Sequence, residues 1–161
     1  MDRTKTGLAP VVDEQTRLII FGSFPGEQSL AKQEYYGHPH NSFWKILGEC
    51  IGEQLIGKPY EERLALVQKH KIGIWDVYDA CEREGSLDTA IRNAVHNDFS
   101  ILKELAPKLK IACFNGKTAG RYASMLASMG YKTIILPSTS PANRNLSYEQ
   151  KLKAWKKALL C

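Results

Sequence analysis

Short apolar runs set at wide intervals, with amphipathic stretches between them, constrain this chain more than any other feature. The runs are RLIIF at 17–21, IGIW at 72–75, KIACF at 110–114 and TIIL at 133–136. Each is short, rich in β-branched or aromatic residues, and continuous rather than alternating. That pattern suits strands buried on both faces of a parallel sheet. They stop at Gly22, Asp76, Asn115-Gly116 and Pro137. Helical spacing fills the intervals. Phe43, Leu47, Cys50 and Ile51 share a face after Asn41; Leu64 and Val67, with Ala65 beside them, do so between Tyr60 and His70. Phe99, Leu102 and Ala106 follow Asn97 as N-cap, and Ala119, Tyr122, Ala123 and Leu126 follow Gly116. Leu152, Trp155 and Leu159 follow Ser147, which forms a capping box with Gln150. A further helix is expected to start at Asp88 and run through Ile91 and Val95. Strands alternating with helices predict a three-layer α/β/α fold with a mostly parallel sheet. The 161 residues suffice for a single domain over 1–161.

Composition narrows the function classes. With 43% hydrophobic and 24% charged residues the chain reads as an ordinary globular protein. It has no apolar run of about 18 residues, so no membrane span is expected. The first residues lack the apolar core of a signal peptide. Cys50, Cys81, Cys113 and Cys161 are widely spaced with no C-x-x-C, which argues against a disulfide framework or a zinc knuckle. Cys50 and Cys113 fall in apolar periodic stretches and read as reduced core residues. The expected compartment is the cytosol, or the nucleus in a eukaryote. A net charge of +5 biases the chain mildly towards polyanions such as nucleic acid.

In parallel sheets of this kind a ligand sits at the carboxyl ends of the strands. Attention therefore falls on the loops after Gly22, Asn115-Gly116 and Pro137. The first runs structureless from 23 to 40, a length that points to function. Its start, Gly22-Ser23-Phe24-Pro25-Gly26, fixes a tight turn and lets a ligand approach the backbone. No Gly-Lys-Ser/Thr follows, so it is not a Walker loop. Further along, Tyr36 can stack on a flat heterocycle, while Asn41 or His38 bonds its edge or orients water. Asn41 could equally cap the next helix, which Phe43 and Trp44 open towards the core. His38 and His40 have no further ligand at helical spacing, so neither metal nor cofactor is expected. Asn115 can read a base edge through a donor and an acceptor, or simply turn the chain. Ser138, Thr139, Ser140, Asn143 and Arg144 make a loop suited to DNA phosphates. Lys151, Lys153, Lys156 and Lys157 read as the outer face of the last helix. Asp76 and Asp88 are the acids at hand.

In order, Gly22-Ser23-Phe24-Pro25-Gly26, His38-Pro39-His40-Asn41-Ser42-Phe43-Trp44 and Ser138-Thr139-Ser140-Pro141-Ala142-Asn143 resemble the motifs of the uracil-DNA glycosylase superfamily. The resemblance extends through Trp75-Asp76, Arg83-Glu84-Gly85-Ser86-Leu87-Asp88, Asn97-Asp98-Phe99 and Phe114-Asn115-Gly116-Lys117, and it is greatest to the hypoxanthine-DNA (deoxyinosine) glycosylase family. It implies a central four-stranded parallel sheet between helices. It also implies hydrolysis of the bond between a deaminated base and deoxyribose, without metal or cofactor, by a monomer acting on DNA. Most members carry Asp or Asn in the first motif; Phe24 stands there instead. The resemblance makes Asn41 the catalytic residue, Asn115 its partner in recognition or catalysis, and Tyr36 the stacking platform. Ser138 replaces a histidine. Ala142 stands where related enzymes wedge a leucine into the duplex, a gap that Asn143 or Arg144 could fill. The readings in competition are a G:U-specific uracil glycosylase, a non-catalytic nucleic-acid or nucleobase-binding module, and a nucleotide-handling α/β hydrolase.

Overall fold

The computed structural model describes residues 4–159. Along the chain run β1 (Thr4–Thr6), β2 (Leu18–Gly22), α1 (Glu27–Lys32), α2 (Phe43–Ile51), α3 (Tyr60–Lys69), β3 (Ile72–Asp76) and β4 (Tyr78–Glu82). Then come β5 (Arg92–His96), α4 (Leu102–Leu105), β6 (Ile111–Asn115), α5 (Lys117–Gly120), α6 (Ala123–Ser128), β7 (Lys132–Leu136) and α7 (Tyr148–Leu159). Single 3-10 turns occupy Asp88–Ala90 and Phe99–Ile101.

The four apolar runs form one sheet in the order β3-β2-β6-β7, with every pairing parallel. β2 and β3 are buried along their whole length, which is why neither alternates. Phe21 sits at the centre, stacked on Phe114 with ring centroids 5.4 Å apart and edge-on to Phe99 at 5.5 Å. Helices flank the sheet. α2 and α7 pack on each other through Phe43 and Trp155, with centroids 6.0 Å apart. The capping box of α7 forms as expected: Ser147 N–H donates to Gln150 Oε1 at 2.8 Å, and Gln150 N–H to Ser147 Oγ at 3.2 Å. Cys50, Cys81 and Cys113 are free and buried; Cys161 lies outside the described residues.

Four expectations are corrected. The first is the segment 23–40, which is not structureless: α1 lies within it. Its Ser29 is buried and accepts from Gly37 N–H at 2.9 Å, bracing the turn after Tyr36. Second, no helix runs from Asp88 to Val95. One 3-10 turn leads into β5, which joins β1 and β4 in a second, antiparallel sheet. All five residues of β5 are exposed, so they carry no continuous apolar run to announce a strand. Third, Asn97 is not the cap of the next turn. Asp98 is, accepting from Ser100 N–H at 3.1 Å, while Asn97 Nδ2 donates 2.7 Å to the Asp76 carbonyl. Last, Lys151 does not lie on the outer face: it is 7% exposed.

The parallel sheet puts all four carboxyl ends on one edge. Gly22 pairs in register with Asp76, and Asn115 with Leu136. At about 4.8 Å between strands, the strand-final residues form a row that one planar ligand can span in part.

Candidate active site

A cleft of about 440 Å³ opens on that edge. The first-motif residues Gly22, Ser23, Phe24, Pro25 and Gly26 line one side. Their conformation is held from the connection between β4 and β5. Ser23 Oγ donates to Asp88 Oδ1 at 2.6 Å, Glu27 N–H donates to Ser86 Oγ at 2.9 Å, and the buried Arg83 donates to the Pro25 carbonyl. The Arg83 guanidinium lies 5.4 Å from the Phe24 ring centroid. The segment 83–88 is thus a clamp on the first motif. Phe24 is a buried apolar wall that offers no acceptor for water.

Tyr36 and His38 line the cleft beside Asn41. Tyr36 takes a left-handed backbone, φ 53°, and its ring lies flat on Phe43 with centroids 3.7 Å apart. Trp44 Nε1 fixes that turn by donating to the Tyr35 and Tyr36 carbonyls, both at 3.2 Å. The aromatic platform is therefore backed by core rings before any ligand arrives. Burial, with Asp76 nearby, pushes the Tyr36 phenol well above its ordinary range. His38 is exposed, and its Nδ1 accepts from His40 N–H at 3.0 Å. Among the described residues no cluster of His, Cys, Asp or Glu is arranged to hold a metal ion.

The centre of the site is a residue that sequence reasoning left in a list of hydroxyls. Thr139, 1% exposed, ties the two asparagines together. Asn115 Oδ1 accepts from Thr139 N–H at 2.9 Å, and Asn115 Nδ2 donates to Thr139 Oγ1 at 3.0 Å and to the Tyr36 hydroxyl at 3.3 Å. Thr139 Oγ1 in turn donates to Asn41 Oδ1 at 2.7 Å. Asn41 Oδ1 also accepts from Phe43 N–H at 3.0 Å, so it braces the turn into α2, whose N-cap is Ser42, and lines the cleft at once. A backbone N–H can only donate, so these contacts fix which amide atom of each asparagine is oxygen. Both lone pairs of Asn41 Oδ1 are thereby occupied, and its Nδ2 hydrogens remain for a ligand. The side-chain donors run in one direction, from Asn115 Nδ2 through Thr139 Oγ1 to Asn41. Such a chain polarises the Asn41 amide and strengthens it as a donor. Asn115, by contrast, is 9% exposed and spends its amide on the network. A β-branched residue between two serines just past a strand was the one signal for Thr139.

Ser138, Ser140, Ala142 and Asn143 complete the cleft; Arg144 is exposed outside it. Ser138 Oγ accepts from Ser140 N–H at 3.1 Å, and Asn143 Nδ2 donates to the Ser138 carbonyl at 3.1 Å. Gly116, φ 100°, is required beneath this loop: a Cβ there would lie 3.1 Å from that of Ser138. The buried Lys151 staples the loop, its Nζ 2.8 Å from the Asn143 carbonyl. Its ammonium replaces solvent with backbone oxygens, and burial lowers its pKa. Asp76 closes the floor from the end of β3 and is 4% exposed.

The model of the uracil DNA glycosylase superfamily matches residues 9–160 of the chain. A hypoxanthine DNA glycosylase of Methanosarcina barkeri is 49% identical over 154 residues, covering 96% of this chain and 97% of that protein. Another, from Methanosarcina acetivorans, is 49% identical over 143 residues, or 89% and 90% of the two chains. A solution NMR structure of a Methanosarcina acetivorans protein superposes with a TM-score of 0.88 at 46% identity, covering 97% of this chain and 96% of that one. The order of the four parallel strands, the motif loops on their carboxyl edge and these matches along nearly the whole length agree: the chain belongs to the uracil DNA glycosylase superfamily.

Proposed function

We propose that this protein is a monofunctional DNA glycosylase that hydrolyses the N-glycosidic bond of deaminated bases, hypoxanthine foremost, and leaves an abasic site. The substrate choice is supported by the two relatives named for hypoxanthine, each 49% identical to this chain. The observation that carries the chemistry is the Asn41 amide, its oxygen held by two donors and its Nδ2 left for the ligand.

The nucleotide flips out of the duplex and its base stacks on Tyr36, whose ring is already backed by Phe43. Such a preset platform spares the cost of ordering a side chain on binding. As the C1′–N9 bond lengthens, negative charge grows on the purine and positive charge on the sugar; water oxygen then bonds to C1′, and its proton is lost to solvent while the departing purine anion takes one up. Asn41 meets the purine as a donor, stabilising the leaving group by a preorganised dipole rather than by accepting a proton from water. Phe24 keeps the first motif dry and Asn115 holds the donor in place. Ser138, Ser140, Ala142, Asn143 and Arg144 face the flanking DNA backbone, with one copy of the chain acting alone.

The test is an inosine-containing duplex incubated with the protein, then alkali to cleave at abasic sites. Cleavage with inosine is expected, and Asn41→Ala slows it by about 10²–10³-fold, the scale of removing one transition-state donor. Release of uracil with no release of hypoxanthine would move the substrate assignment. Binding of DNA with no release of any base would refute catalysis.

A further inference from the structure

We propose that Asp76 is a base-contacting residue, its carboxyl donating a hydrogen bond to an acceptor atom of the extruded base. The inference rests on the glycosylase reading above. It starts from an accounting of polar groups at the cleft floor. Asn115 has both ends of its amide engaged by Thr139 and Tyr36. Asn41 has its oxygen engaged and can only donate. Asp76 is different: the residue lines the cleft, and its buried Oδ2 has no hydrogen-bond partner. An orphaned buried oxygen is rare enough to require a reason.

The surroundings fix where this carboxyl sits. β3 ends at Asp76 in register with Gly22, and the Asn97 amide grips the Asp76 carbonyl at 2.7 Å. A Cβ on Gly22 would come within 2.5 Å of Asp76 Oδ1 and 2.9 Å of the Tyr36 hydroxyl. The first glycine of the motif therefore exists to make room for these two groups above the backbone. The acid and the platform meet over one bare Cα.

The groups facing Asp76 decide its protonation. Asp88, held by Ser23, disfavours ionisation; Arg83 and the Gly22 backbone favour it, and the phenols of Tyr35 and Tyr36, whose own ionisation Asp76 disfavours, stay neutral. Burial is the largest influence, and the carboxyl is raised to about 7. Below neutral pH it thus carries a proton to donate. Deamination replaces an amino group with a carbonyl oxygen. A carboxyl O–H is a donor for that oxygen, whereas an ionised carboxylate repels it.

The experiment is single-turnover release of hypoxanthine from an inosine duplex between pH 5.5 and 9, by the wild type, Asp76→Asn and Asp76→Ala. The wild-type rate is expected to fall about tenfold per unit above pH 7, as for one essential protonated group. Asp76→Asn keeps a donor that does not titrate, so its profile loses that alkaline limb while its rate at pH 6 stays within about tenfold. Asp76→Ala is expected to lose about 10²-fold at pH 6. Thermal unfolding shows whether each variant is folded, and Asp76→Asn carries the test if the alanine variant is not. An Asp76→Asn profile that keeps the wild-type alkaline limb overturns the inference, as does a folded alanine variant at wild-type rate. A wild type that releases neither hypoxanthine nor uracil at any pH overturns the glycosylase reading instead.

Discussion

Thr139→Val removes one hydroxyl and keeps the shape of the side chain, which makes it the cleanest probe of the asparagine network. Two hydrogen bonds disappear, to Asn41 Oδ1 at 2.7 Å and from Asn115 Nδ2 at 3.0 Å. Each is worth about 1 kcal/mol net, and Asn115 Nδ2 is then left with only the 3.3 Å contact to Tyr36 in a buried setting. Adding the cost of an under-satisfied buried donor, the expected loss of stability is about 2–4 kcal/mol. For a chain of this length that is a fall in Tm of roughly 5–15 °C, measured by calorimetry or circular dichroism. Asn41 keeps its bond from Phe43 N–H but loses the one that polarises and orients it. Loss of such positioning is expected to slow single-turnover base release about 10–100-fold at a temperature where the variant is folded. Thr139→Ser keeps the hydroxyl and loses a methyl, so its stability should fall by no more than about 1.5 kcal/mol, with base release near the wild-type rate. A valine variant that is folded and releases base within about twofold of wild type would refute the argument that Thr139 sets Asn41.

Two further outcomes follow from the same contacts. The Asp76 carboxyl holds its proton up to about pH 7 in the native state but only to about pH 4 when unfolded. The native state therefore binds the extra proton between those values, and raising pH across that window weakens it by a few kcal/mol. Denaturant melts at pH 4 and pH 8 should show Asp76→Asn gaining on the wild type as pH rises; a constant difference would contradict the burial of an unpaired acid. Lys151→Met keeps the apolar stem but removes the bonds to the loop carbonyls of Asn143 and Ser140. Amide exchange over 140–143 should quicken and inosine-duplex affinity weaken, at a stability cost of about 1.5–3 kcal/mol. Unchanged exchange would show that the loop holds itself.

The parallel sheet was legible because burial on both faces writes itself as apolar continuity at 17–21, 72–75, 110–114 and 133–136. The cleft was legible because parallel strands end together. All but one of the expected ligand and DNA residues line it, Arg144 being outside. What escaped is what depends on contacts between distant segments. β5 is a strand only because β4 lies beside it, and its exposed side chains leave no period to read. Lys151 looks like any surface lysine until α7 turns its first residues against the loop. Thr139 and Asp76 gain their meaning from neighbours 98 and 54 positions away, Asn41 and Gly22. No local pattern encodes those distances.

The buried thiols have a consequence for how the molecule opens. Cys113 lies in the central sheet, Cys50 in α2 and Cys81 in β4 of the second sheet. Burial raises all three, Cys113 to about 12 and Cys50 to about 11. A thiol reacts with alkylating reagents as thiolate, so each is inert until its own region opens. The three are clocks set in separate parts of the fold. Their labelling rates separate opening of the Arg83 clamp beside Cys81 from opening of the sheet whose edge carries the cleft. If the clamp lifts alone, the first motif is loosened while the asparagine network stays in place.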